Sequence, residues 1–186
     1  MGQKWITEYL DSNQLNFEKI REIIQRKGLY TKEYAYKYIG FLKMLEYISC
    51  DRVELLYHER SENEPWIKFS IRGNTYTSWA LPVIKDIGIT LVPDFFVLKE
   101  DTEKMYRGTE SIPNLKVPWF LVYVRKDGKN LVNELREANY YLRPRYIIVL
   151  CSEEVPDKVM FPPNTYVLEF YDVNPIKIKE KLSYLF

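Results

Sequence analysis

Between Ile89 and Arg143 the chain reads ITLVPDFFVLKED, then a charged loop, then VPWFLVYVRKDG and KNLVNELREANYYLR. Two apolar runs rich in β-formers are followed by an amphipathic helix, and Pro93-Asp94 interrupts the first run. Pro93 cannot donate to a strand ladder, so the centre of that run is expected at an edge or a bulge. Asp94 follows it directly, in mid-strand, where a carboxylate is costly unless it meets a partner or a metal. Any fold of this chain has to satisfy that acid.

The surroundings extend the pattern. LPVIKDIG before the first run reads as a short helix or turn, and residues 100–116 form a long charged loop with Gly108 and Pro113, expected beside the site. In the second run Trp119, Leu121, Tyr123 and Arg125 fall on one side, Phe120, Val122 and Val124 on the other. The helix has the stripe Leu131, Leu135, Ala138 and Leu142, with Glu134 at its edge and Glu137 further out. Arg143-Pro144 ends it, YIIVLC is a strand of the fully buried type, YVLEFYD is another, and Asn174-Pro175 opens a C-terminal helix. Strands alternating with helices predict an α/β or α+β layer with a partly parallel sheet.

The first quarter carries a different period. Trp5, Ile6, Tyr9 and Leu10 predict one helix, and Asn16 caps a second with Phe17, Ile20, Ile23 and Ile24 inward and Gly28 as its stop. A third runs from Thr31 to Ile48, burying Ala35, Tyr38, Ile39, Leu42, Leu45 and Ile48, with Glu33, Tyr36, Lys37, Gly40 and Lys43 outside. VELLYHER and PWIKFSIRG then alternate as a hairpin around SENE, and NTYTSWA reads as a polar junction.

Three helices and a two-stranded ribbon resemble a winged helix-turn-helix domain over about residues 3–73, which sets an expected division into 1–75 and 76–186. The resemblance implies DNA as partner, with the third helix in the major groove. Lys32, Lys37 and Lys43 would meet phosphates and Tyr36 phosphate or base edges. The ribbon tip, with Glu59, Glu62 and Glu64 against Arg60, opposes such contact.

From Pro93-Asp94 onward, the order strand, strand, mixed-charge helix, apolar strand resembles the restriction-endonuclease-like PD-(D/E)XK superfamily over about residues 76–155. With a winged helix ahead of it, the chain is also similar to plasmid replication-relaxation proteins, pointing to an archaeal or viral mobile element. The resemblance implies two acids holding Mg²⁺ and a lysine two residues beyond the second. Asp94 matches the first acid. The second slot falls on Tyr123-Val124-Arg125, where Tyr offers no carboxylate and Arg no base. Glu134 is then the best relocated acid, making Asp94 and Glu134 the metal pair and Arg125 or Lys126 the groups facing phosphate, with Lys129 beside them.

Composition narrows these readings. Net charge is +1, so nucleic-acid contact has to come from local patches. His58 is the single histidine, which leaves any chemistry to carboxylates, Lys, Arg or Tyr. Cys50 and Cys151 lack metal-ligand spacing and read as buried free thiols. The N-terminal residues hold no signal-type apolar core, and no run reaches about 18 apolar residues, so an intracellular, cytoplasmic protein with no membrane association is expected. Three functions remain open: DNA binding by an inactive nuclease-like domain, an Mg²⁺-dependent endonuclease, and a protein-interaction scaffold, each compatible with a homodimer.

Overall fold

The hydrophobic period changes from about four to two after Asp51, and there the sheet takes over from helix. The computed structural model describes residues 6–11, 32–48, 50–57, 65–80, 82, 84–86, 89–99, 117–169 and 175–186. In β3 (Pro65–Ile71), Ile67, Phe69 and Ile71 are buried while Lys68 and Ser70 between them are partly exposed. β3 pairs antiparallel with β2 (Arg52–Tyr57), as the alternation predicts. Arg72 and Gly73, both at positive φ, turn the chain into β4 (Asn74–Ala80), the left-handed pair a two-residue hairpin requires.

Two expectations fail at this end of the chain. Residues 6–11 form β1 (Ile6–Asp11), antiparallel to β2, in place of the first predicted helix. ITEYLD holds enough β-formers to serve either structure, and an available edge on β2 decides the matter. The polar junction at residues 74–80 is strand β4, with Tyr76 to Trp79 buried, because its neighbours on both sides cover it. The second predicted helix, residues 16–28, lies outside the described residues.

LPVIKDIG is extended too: β5 (Ile84–Asp86) pairs with β6 (Ile89–Leu91) in a separate two-stranded ribbon. The chain breaks at Val92-Pro93-Asp94 and resumes as β7 (Phe95–Leu98), so one predicted strand is two. After residues 117–119 come β8 (Phe120–Arg125), helix α2 (Leu131–Leu142) and β9 (Tyr146–Cys151). A short 3-10 turn at Lys158–Met160 leads to β10 (Thr165–Glu169), and α3 (Pro175–Leu182) follows. The first described helix, α1 (Lys32–Tyr47), precedes β2.

Eight of the described strands make one mixed sheet in the order β1-β2-β3-β4-β7-β8-β9-β10. Pairing is antiparallel as far as β8 and parallel from β8 through β9 to β10. On one face α1 and α3 cover Phe69, Phe95, Phe120, Val122, Ile148 and Leu168. On the other, α2 buries Leu131, Leu135 and Ala138 over Phe96, Leu121, Tyr123, Ile147 and Val149. The predicted alternation of residues 120–124 is thereby the division between two cores.

The sheet is continuous across the expected boundary at residues 75 and 76, which falls inside β4. α1 rests on β7: Phe41 stacks on Phe95 with centroids 4.3 Å apart, and Tyr38 meets the same ring edge-on. Among the described residues no helix is long and apolar enough to cross a membrane. Cys50 and Cys151 are buried free thiols on opposite faces, and burial raises the Cys151 thiol to about 12.

Candidate functional site

The break at Pro93 leaves the β7 edge of β8 without a backbone partner beyond the pairing of Val122 with Phe95, while its other edge stays paired with β9 through Arg125. Asp94 supplies the missing acceptor: its Oδ2 takes the Val124 N–H at 2.7 Å. The same oxygen accepts from Arg125 Nη1. Lys37 Nζ of α1 stands 2.7 Å from Oδ1, although no hydrogen bond is directed at that oxygen. Asp94 is 1% exposed, so its charge rests on these neighbours rather than on water.

Arg125 spans the site. Its Nη2 donates to both oxygens of Glu134, at 3.0 and 3.2 Å, while Nη1 holds Asp94. Burial works against the guanidinium charge, but the two carboxylates outweigh it and hold the group ionised above the ordinary arginine value. Two acids and two cations thus form a charge-balanced network linking α1, β7, β8 and α2. It sits at the carboxyl ends of the parallel strands, where sheets of this kind place their ligand sites.

Tyr123 occupies the slot where the resemblance requires an acid. It is buried under α2, and burial foremost, then Glu134, pushes its phenol well above the ordinary tyrosine value. Its ring lies 5.4 Å from the Arg125 guanidinium carbon. Tyr36 fixes α1 from the other side: its hydroxyl hydrogen-bonds with Ser152 Oγ at 2.7 Å and donates to the Arg125 carbonyl at 3.3 Å. Gly128, in the turn into α2, lies so close to Val155 that a Cβ would come within 2.4 Å of that side chain.

Asp94, Arg125 and Glu134 are therefore brought together, as the sequence reading expects. Lys126 and Lys129 are not part of the cluster; they are 81% and 72% exposed, with Glu153 and Asp127 at 3.9 and 3.7 Å. Tyr36 and Lys37, expected on an outer face for DNA, are turned inward. Lys43 is partly exposed on α1, and the side chain of Lys32 lies outside the described residues. Lys37 is the member that sequence reasoning misplaced. Lys37, Phe41 and Met44 fall at i, i+4 and i+7, so choosing Phe41 and Met44 as core would have put Lys37 on the inner face.

Mg²⁺ takes oxygen donors in near-octahedral array. Here both carboxylates end on one guanidinium, and an ammonium faces the remaining Asp94 oxygen. Among the described residues no three acid, His or Cys side chains converge. Two fixed cations at the donors repel a third, so this donor set does not fit a divalent ion as it stands.

Comparisons of the chain with protein-family models, curated proteins and solved structures find no match.

Proposed function

We propose that this chain is a nucleic-acid-binding protein on a nuclease-like core that does not cleave. The observation that carries the reading is the Arg125 guanidinium held between Asp94 and Glu134, the two acids a metal-dependent nuclease of this order would use. Support for the core comes from its order: a helix, antiparallel β4, β7 and β8, a helix on the opposite face, and parallel β9. In this reading α1 belongs to that core and not to a winged helix, because its Lys37, Phe41 and Met44 face is spent on the sheet and the site.

Lys126 and Lys129 are the contacts expected at phosphate beside the site. Their carboxylate neighbours stand far off on an exposed surface, where such pairs contribute about 0 to 1 kcal/mol and exchange readily for phosphate. The test is a plasmid and oligonucleotide assay. Salt-dependent retention of DNA without cleavage in Mg²⁺ or Mn²⁺ is expected. Cleavage that disappears in Asp94→Ala would establish the endonuclease instead, and no retention at low salt would leave a protein scaffold.

A further inference from the structure

The parallel strands have a second end, some six residues of β8 away from Asp94. There Trp119, Tyr146 and Tyr166 meet edge to face at the starts of β8, β9 and β10, with ring centroids 6.3 and 5.8 Å apart and each residue partly exposed. Lys99 Nζ lies 4.5 Å from the centre of the Trp119 ring, and the Arg145 guanidinium lies 4.2 Å from it. Arg145 Nε also donates to the Tyr146 hydroxyl at 3.1 Å. Arg143, two residues before Arg145, is exposed just past α2.

Two observations mark this end. Among the described residues no carboxylate pairs with Lys99, Arg143 or Arg145, a lack they share with Arg136, Lys179 and Lys181, but here the cations lie beside a row of aromatic rings. In addition, three buried polar atoms there have no hydrogen-bond partner: Trp119 Nε1, Asn164 Oδ1 and Thr165 Oγ1. Buried polar atoms are nearly always paired with protein or ordered water, and three of the five among the described residues that lack a protein partner cluster at this end.

We propose that this end of the sheet is a docking surface for single-stranded nucleic acid. Cations that have no carboxylate partner among the described residues supply phosphate attraction, and the exposed Arg145 guanidinium with the partly exposed rings supplies faces for unstacked bases. A duplex hides its base faces, and reading its groove needs a protruding helix or ribbon; strand starts and turns provide neither. The proposal rests on the nucleic-acid reading given above and moves its principal contacts away from Lys126 and Lys129.

The experiment is anisotropy of a labelled oligothymidylate of about 15 nucleotides with the full chain in about 50 mM salt. Arg145→Glu is expected to weaken binding about tenfold or more, and Arg145→Lys, which keeps charge but loses the plane, by less. Lys126→Glu with Lys129→Glu is expected to weaken binding by less than Arg145→Glu does. Arg143→Gly provides a variant that keeps the fold, since Arg143 has φ 49 and glycine suits that backbone; it too is expected to bind more weakly. If Arg143→Gly and Arg145→Glu bind normally while the Lys126 and Lys129 pair does not, this surface is overturned and the wider reading stands. Tighter binding of a duplex than of the single strand overturns the choice of partner. No binding of either overturns both readings.

Discussion

At the scale of the residue, the decisive contact is Arg125. Removing its guanidinium leaves Asp94 buried with Lys37 and the Val124 N–H, and leaves Glu134 unpaired at the site. Breaking a buried pair from one side costs several kcal/mol, and Arg125 is 23% exposed, so Arg125→Ala is expected to lose about 2 to 3 kcal/mol. Urea unfolding measures this; a loss below about 0.5 kcal/mol would mean that the network is ornamental. Arg125→Lys, with a single charged end for two carboxylates, is expected to recover only part. Asp94 was legible in the sequence as a charge inside an apolar run, and Glu134 as an acid at the edge of a core stripe. Lys37 was not, because a lysine among YAYKYIG looks like a solvated position until the helix face is chosen by Phe41 and Met44.

At the scale of the element, the segment after β9 is tied to β10 by the Glu169 carboxylate. Glu169 Oε1 accepts the Val155 N–H at 2.9 Å, and Lys158 Nζ reaches both Glu169 oxygens at 2.9 and 3.0 Å. The Val155 N–H first, and Lys158 with it, hold Glu169 below the usual carboxylate range. A carboxyl whose value is lowered on folding stabilises the protein fully above its unfolded value and loses that contribution as pH falls through its folded value. Thermal midpoints of the unaltered chain and Glu169→Gln are therefore expected to differ at neutral pH and to converge on acidification below the usual carboxylate range. A gap that stays constant into strong acid would show that the side chain acts by packing alone. Elements with strong patterns, such as the YIIVLC strand and the Leu131 to Leu142 helix, were readable from period and length. β1 and β4 were not, since ITEYLD owes its strand state to β2 on the far side of α1, and NTYTSWA to lying between β3 and β7.

At the scale of the whole molecule, the sheet decides how the chain divides. A winged helix ahead of a separate core would let residues 76–186 fold alone. The structure instead runs β3, β4 and β7 side by side, and α1 lies over Phe95 while sharing a core with Phe120, Val122 and Ile148. Cutting after residue 75 removes α1, β1 to β3 and the first two residues of β4, and with them the cover of that face. Re-exposing a buried side chain of this kind costs about 1.5 to 3 kcal/mol. Five or six of them match the entire stability of about 5 to 15 kcal/mol of an ordinary domain. Asp94 would also lose Lys37. The full chain is therefore expected to unfold in one cooperative transition by calorimetry, and the fragment 76–186 to show none. A fragment that melts cooperatively near the temperature of the full chain would overturn the single-core reading and restore the two-domain division that the winged-helix resemblance implies.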